Sequence, residues 1–397
     1  MKHYFYGILI SGTSFACHLA HATEQFNFQN ELVLKTFYFD RDNKQSSTLD
    51  SSSLTQGFLY RGDWSVQLDN IHPLKLHLMP SLQYAYRLSS DQHSNDQVIP
   101  FNQATQSQAK DYSKYGLGTG ISYKNIRLNI GEIIPDSPLT PQVDTHQLRV
   151  NYKGAEFKYK MPNQEIELGM INRYSPRNEE DYRKLAISKQ ESDGLYFAQW
   201  TGKAPKYTWK IYNGYLTDLI NQSYGAFDYQ WTPQQTTKLR AFHHQDIGQA
   251  KLGEYNNTSL GAMHFIKHSN FTAGLGYQEN FGSDGIPKLD GMPIPHMVNW
   301  TLGAFTKADE KSYHFMASYD FKDYIRGLKL TYKYIYGDSF TTNQKDDFEQ
   351  EIDILLQYDL NILIKNLKFL YLYINYDNKY GKSLDEQRMM LHYTVKF

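Results

Sequence analysis

The stretch Arg388-Met389-Met390-Leu391-His392-Tyr393-Thr394-Val395-Lys396-Phe397 decides the fold. Met389, Leu391, Tyr393, Val395 and Phe397 fall at every second position, with Arg388, Met390, His392, Thr394 and Lys396 between them. Successive side chains on a β-strand point to opposite faces, so this segment reads as a strand with one apolar and one mostly polar face. Working back along the chain, the same spacing of two recurs in Ile352-Ile354-Leu356-Tyr358, Leu328-Leu330-Tyr332-Tyr334-Tyr336 and Tyr313-Phe315-Ala317-Tyr319-Phe321. Further back come Tyr207-Trp209-Ile211, Ile166-Leu168-Met170, Ala155-Phe157-Tyr159, Leu148-Val150-Tyr152, Ile126-Leu128-Ile130 and Leu74-Leu76-Leu78. The positions between them carry long charged side chains.

A soluble β-sandwich also alternates. Two features argue for a closed transmembrane barrel instead. Tyrosine is concentrated at strand ends on the apolar face, where lipid would meet water, and the chain has 33 Tyr and 22 Phe with only 40% hydrophobic residues. The polar face is charged in nearly every segment, as a wet interior permits. In lipid a sheet must close to leave no unpaired edge, so strands in this number imply a barrel.

The start of the chain reads as an export signal. Met1-Lys2-His3 is a short positive opening, an apolar run follows from Tyr4 to Phe15, and Ala20-His21-Ala22 fits the small-residue cleavage pattern. Residues 1–22 are expected to be a signal peptide, with the barrel domain over 23–397. The apolar run is shorter than the ~20 residues a spanning helix needs, and mean hydropathy is negative. The only cysteine, Cys17, lies within the signal, so disulfides and cysteine metal sites are excluded from the mature protein. With 41 basic and 42 acidic residues, nothing points to nucleic acid. No internal repeat or composition break divides the chain. Polar, turn-rich stretches run over 41–56, 88–110, 135–144, 175–193 and 281–296, as expected of long outer loops.

Several segments resemble the OprD family of substrate-specific outer-membrane channels: Phe37-Tyr38-Phe39-Asp40-Arg41-Asp42 with Gln56-Gly57-Phe58; Asp111-Tyr112-Ser113-Lys114 with Gly116, then Gly131-Glu132 and Pro135; Gly276-Tyr277-Gln278 with the run from Gly285 to Pro295; Asp309-Glu310-Lys311-Ser312-Tyr313; Gly337-Asp338; and Asp385-Glu386-Gln387-Arg388. The terminal Phe397 resembles the C-terminal signature that the barrel-assembly machinery reads. The resemblance implies an all-β, monomeric, 18-stranded antiparallel barrel in the outer membrane of a Gram-negative cell, with one loop folded inward as a constriction. It also implies passive, cofactor-free diffusion of small carboxylate-bearing solutes or amino acids along a basic lumen. Two positions depart from the family. Lys35 stands where arginine is common, and it lacks the bidentate fork. His146, with Arg149 three residues on, stands where an arginine often ends the narrowing loop.

The alternation assigns Lys75, Arg127, Arg149, Lys153, Lys158, Lys160, Lys206, Lys210, Lys329, Lys333, Arg388 and Lys396 to the lumen, against Glu156, Glu165, Glu167, Asp320, Glu351 and Asp353. Basic residues lead on these segments although the chain is nearly neutral, so acids are expected to gather in loops, at 178–182 and 343–350. A basic wall lowers the barrier to anions. For any single lysine, solvation or snorkelling to headgroups is the commoner role. As a group, Arg127, Arg149, Lys333 and Arg388, with Lys35 and Arg41 from the resemblance, are the candidate solute path. Pro135, Asp136, Asp144 and His146 are the candidate constriction.

Other signals stay at background. Gly116-Leu117-Gly118-Thr119-Gly120 lacks the strand-turn-helix setting of a nucleotide loop. His243 and His244 are adjacent, so on a strand they face opposite ways and share no ligand. No catalytic grouping or metal set emerges; a barrel enzyme and a structural or adhesive barrel are the alternatives.

Overall fold

The computed structural model describes residues 26–45, 48–68, 73–90, 93–294, 296–299 and 301–397. The expected signal peptide lies outside the described residues. Eighteen strands form one closed antiparallel sheet. In chain order they are β1 (Phe26–Asn43), β2 (Ser51–Gln67), β3 (Leu74–Arg87), β4 (Asp111–Tyr123), β5 (Ile126–Ile133), β6 (Asn151–Met161), β7 (Gln164–Ser175), β8 (Leu195–Ala204), β9 (Tyr207–Leu216) and β10 (Ile220–Thr232). There follow β11 (Gln235–Asp246), β12 (Asn256–His268), β13 (Phe271–Phe281), β14 (Lys311–Asp320), β15 (Leu328–Thr342), β16 (Lys345–Asp359), β17 (Leu367–Asn378) and β18 (Leu384–Lys396). Each strand pairs with its sequence neighbours, and β18 closes on β1 from Glu31↔Lys396 to Asn43↔Leu384.

The alternation that the sequence displays is the in–out alternation of this wall. Leu117, Ile130, Leu168, Ile211, Leu260 and Leu275 face outward with 48–69% of their surface exposed. Water would oppose that arrangement and hydrocarbon favours it, because lipid replaces the buried core on that side. About 9–11 tilted residues cross a bilayer, so β1 and β2, with 18 and 17, continue beyond it. Rings gather where strands reach the short-turn end: Tyr229–Trp231 centroids are 4.6 Å apart, Tyr319–Phe321 4.8 Å, and Trp200–Trp209 5.4 Å. Amphipathic rings belong at that interface.

The long connections, 88–110, 134–150, 176–194 and 282–310, lie at the opposite end. The sequence placed most of these loops. Four boundaries differ, the first being the loop read at 281–296, which runs on to 310. Residues 41–56 shrink to a connection of 44–50, because β1 and β2 rise above the bilayer as a hydrogen-bonded ribbon. The expected strand Leu148–Tyr152 begins only at Asn151; Leu148 and Val150 belong to an inward loop and are buried there rather than facing lipid. Residues 343–350 are mostly β16 rather than loop. Gly116, Gly118 and Gly120 lie within β4, and His243 and His244 within β11, as read.

Inside, the loops make apolar cores against the wall. The larger joins Leu139, Leu185, Ile187, Leu289 and Met292 from three loops to Ile171, Leu195, Phe197, Tyr212, Leu216, Ile220 and Phe242 from β7 to β11. A smaller one joins Val98, Ile99 and Leu148 to Val33, Phe37, Phe39 and Met390.

Candidate functional site: the constriction

Residues 134–150 leave the wall after β5 and turn inward. Pro135, Pro138 and Pro141 each fix φ near −65°, and Ser137 Oγ lies 2.7 Å from Thr140 Oγ1 across the tight bend between them. Pro135 and Leu139 are buried, while Asp136 keeps 66% of its side chain exposed, 3.7 Å from Lys210 of β9.

The returning half is latched to β1. Lys35 is fully buried, ion-paired with Asp144, and donates to the His146 carbonyl at 2.8 Å. The Gln147 amide donates to the Lys35 carbonyl at 2.9 Å. Gly57, on the neighbouring β2, is needed here: a Cβ would collide with the Gln147 amide. Arg149 lies 3.2 Å from Asp144 and 3.3 Å from Glu31, and its backbone N–H donates to Gln83 at 2.8 Å. Lys114 donates to the carbonyls of Arg149, Ser175 and Pro176 at 2.8–2.9 Å, tying this loop to the next.

Asp144 thus sits between two cations. Enclosure by protein alone would raise its carboxyl, but Lys35 and Arg149 outweigh that and hold it well below the usual carboxylate range. His146 is pushed the other way from protonation: burial, then the Arg177 guanidinium, lower it well below its ordinary value. Its Nδ1 accepts from the Arg177 guanidinium at 2.9 Å, a role open only to an unprotonated ring nitrogen. Arg177 was not among the residues singled out from sequence; it arrives from another loop, and no local pattern announces it.

The loop 282–310 reaches in from the far side. Glu351 of β16 accepts the backbone N–H groups of Leu302 at 3.1 Å and Gly303 at 2.5 Å. Lys307 pairs with Glu349 at 2.5 Å, and Lys333 of β15 donates to Thr301 Oγ1 at 2.6 Å. Where the two loops approach the wall they leave a cavity of about 190 Å³. Asp144, Thr145, Thr301, Lys333, Asp353 and Arg388 bring charge of both signs to it, over a floor of Leu355, Leu370, Leu372 and Met390. Arg388 and Arg41 share Glu386, at 2.5 and 2.6 Å. On the short-turn side a vestibule of about 710 Å³ is lined by Glu31, Arg61, Asp63, Arg127, Glu132, Glu156 and Lys158, with Arg127 2.8 Å from Asp63.

The structure therefore gathers Asp144, Lys333 and Arg388 at one cavity, puts Arg127 in the vestibule and Arg41 above, and uses Lys35, Arg149 and His146 to seat the loop. The expectation that acids withdraw to loops is corrected. Asp347 and Glu349 lie on β16, facing in with 4% and 3% exposed, beside Glu351 and Asp353. The charges on the wall are intermixed: Lys35, Arg41, Arg149 and Arg388 each have a carboxylate partner near the constriction. Lys206, read as lumenal, lies in the turn between β8 and β9. Lys153, next to a register shift, lays its ammonium 3.9 Å over the Tyr182 ring. Among the described residues, no group of three or more His, Asp or Glu is arranged to hold a metal ion.

A lipid-facing barrel with long loops folded into it, and charged side chains where those loops approach the wall, defines a porin-type channel. The family model described as outer membrane porin, OprD family, matches residues 27–397, and the chain belongs to that family. It is similar to OccAB4 of Acinetobacter baumannii, with 34% identity, a TM-score of 0.88, and 94% of this chain and 99% of that one covered. The structure of Pseudomonas aeruginosa OpdK with vanillate superposes with a TM-score of 0.86 at 24% identity, covering 94% and 99%. The porin-like protein GalP of Pseudomonas putida is 23% identical over 300 residues, 72% of each chain. The OprD family resides in the Gram-negative outer membrane.

Proposed function

We propose that this porin passes small carboxylate-bearing solutes or amino acids selectively, and passively, through the cavity between Asp144 and the Lys333–Arg388 wall. The observation that carries this reading is the cavity itself: about 190 Å³, with two cations and two carboxylates around an apolar floor. Lys333 and Arg388 would donate to the solute carboxylate, and Asp144 or Asp353 would meet an ammonium. Arg127 and Arg41 would guide the solute below and above, while Lys35 and Arg149 hold Asp144 in place. Pro135, Asp136 and His146 would shape the loop. Sites of this kind must bind weakly enough to release; intermixed charge serves that, since Arg388 has Glu386 and Lys333 has Thr301 to return to. The reading includes a monomer, lipid around the wall, and assembly guided by Phe397.

The test is single-channel conductance of the refolded protein in a planar bilayer, with benzoate or arginine added. Small steps interrupted by the solute support the proposal. A folded barrel that conducts without interruption by any carboxylate, or does not conduct, sinks it.

A further inference from the structure

Most turns at the end of the barrel opposite the long loops are two residues long, but two are seven. These two share a motif. Asp320-Phe321-Lys322-Asp323-Tyr324-Ile325-Arg326-Gly327-Leu328-Lys329 joins β14 to β15, and Asp359-Leu360-Asn361-Ile362-Leu363-Ile364-Lys365-Asn366-Leu367-Lys368 joins β16 to β17. Both fold alike. The Tyr324 and Ile325 N–H groups donate to the Phe321 carbonyl at 2.8 and 2.7 Å; those of Leu363 and Ile364 donate to the Leu360 carbonyl at 2.8 and 3.0 Å. Asp320 caps the first turn through the Lys322 N–H at 3.0 Å, and Asp359 caps the second through that of Asn361 at 3.1 Å. Each leaves its turn through a positive φ, +89° at Gly327 and +65° at Asn366. The turns abut, with the Asp359 N–H donating to the Gly327 carbonyl at 2.9 Å.

In each single helical turn apolar residues stand at i, i+3 and i+4, on one side of the turn, and the strand after the positive φ opens on a further apolar residue. They are Phe321, Tyr324, Ile325 and Leu328, then Leu360, Leu363, Ile364 and Leu367; the second turn adds Ile362, also exposed. The first and last of each set lie on the outward side of the wall, so this face continues the lipid-facing surface below the Tyr319–Phe321 ring pair. Tyr324 is 79% exposed and Leu363 73%. Solvent-facing turns do not spend such side chains without a covering partner. The charges fit one. Asp320 and Asp359 face Lys329 and Lys368 across the strand pairs, and the Asp323 carboxylate is held by the Asn270 amide. Among the described residues, Lys322, Arg326 and Lys365 make no ion pair, and all three are exposed.

We propose that these paired turns are an interfacial anchor for anionic phospholipid in the periplasmic leaflet: the apolar face enters the acyl region, and Lys322, Arg326 and Lys365 take the phosphate-bearing headgroups. Apolar side chains beside unpaired cations at headgroup depth are the chemistry that selects anionic lipid. The site is separate from the solute path.

The test equilibrates the full barrel with equal phosphatidylglycerol and phosphatidylethanolamine of the same chain length and counts retained lipids by native mass spectrometry. The wild type should retain phosphatidylglycerol preferentially, and each of Arg326→Gln and Lys365→Gln should weaken that preference about fivefold, with single-channel conductance unchanged. Equal retention of both lipids by the wild type, or an unaltered preference in the double variant, overturns the proposal. So does full displacement by millimolar glycerol phosphate, which would mark a free-phosphate site. In a second measurement, a spin label at Leu363→Cys in bilayer discs should be reached by oxygen and not by an aqueous nickel chelate. A label open to the chelate, or shielded from both as by a protein partner, would also refute it. Heat-modified migration on a gel verifies that each variant is folded.

Discussion

The wall from β7 to β11 and the wall from β15 round to β2 bound the same lumen by opposite means. On the first, Tyr212, Leu216 and Ile220 meet Leu139, Leu185 and Leu289 from the loops, and that half of the barrel is filled like a globular core. On the second, a smaller core seats Val98, Ile99 and Leu148 on β1 and β18, and beside it Lys333, Asp353 and Arg388 border the charged cavity while Arg41 and Glu386 pair next to it. Apolar burial is strong and non-directional; it fixes where the loops sit without caring about a solute. Charge is directional and weak in net terms, and it is concentrated where the loops leave a cavity against the wall. An eighteen-stranded barrel leaves a wide interior, and on the proposed function filling one side directs the solute along the other.

This division makes separable predictions. The largest effect belongs to the packed side. Leu219→Ala or Leu289→Ala should cost about 2–5 kcal/mol of folding stability, measured by denaturant titration in lipid, with the reversal potential unmoved. If selectivity shifts together with stability, the two sides are not independent. Next, Arg388→Gln or Lys333→Gln should remove one charge-assisted hydrogen bond of about 1.5–3 kcal/mol, so block by benzoate should weaken about tenfold or more and the reversal potential should move with it; Arg388→Gln also loses its buried pair with Glu386 and should lower the denaturation midpoint. A variant that blocks as the wild type does would place the solute elsewhere.

A smaller and sharper effect concerns pH. The Asp144 carboxyl is depressed, so its charge is present above the ordinary carboxylate pKa and persists as pH falls through that range. The selectivity difference between wild type and Asp144→Asn should therefore be as large at pH 4.5 as at pH 7. A difference that fades over that interval would mean that Lys35 and Arg149 do not control Asp144. Smallest of all, Arg127→Gln in the open vestibule removes a partly exposed pair, worth about 0–1 kcal/mol, and should alter conductance slightly and only at low salt.

Most of the barrel was legible because one physical rule, alternation, runs through every strand: the outward assignment of Leu328, Ile354 or Met389 needed only parity. What parity cannot supply is the partner. Lys35 and Asp144 are 109 residues apart, and Arg41 and Glu386 are 345 apart; a lysine reads the same whether it is latched to a loop or facing a solute. Thus the constriction loop was located, while its anchors were read as path. The acidic file Asp347-Glu349-Glu351-Asp353 alternates as plainly as any apolar face; parity put Glu351 and Asp353 in the lumen, but Asp347 and Glu349 were expected in a loop and the file was not followed through them. The paired turns were visible as a ten-residue similarity 39 positions apart, too short to divide the chain.

The seam between β1 and β18 has a consequence for the order of events. The strand that emerges first in synthesis can satisfy only one of its edges until the last residues arrive, because the other edge waits for Leu384–Lys396, where Asn30 and Phe397 finally exchange N–H groups and carbonyls. Until then one row of backbone groups from Glu31 to Asn43 is open, the condition under which strands add foreign partners. Closure of this seam therefore sets the moment at which the chain stops being a template for aggregation, and a change that slows pairing at Lys35↔His392 or Phe37↔Met390 would be felt in yield before it was felt in transport.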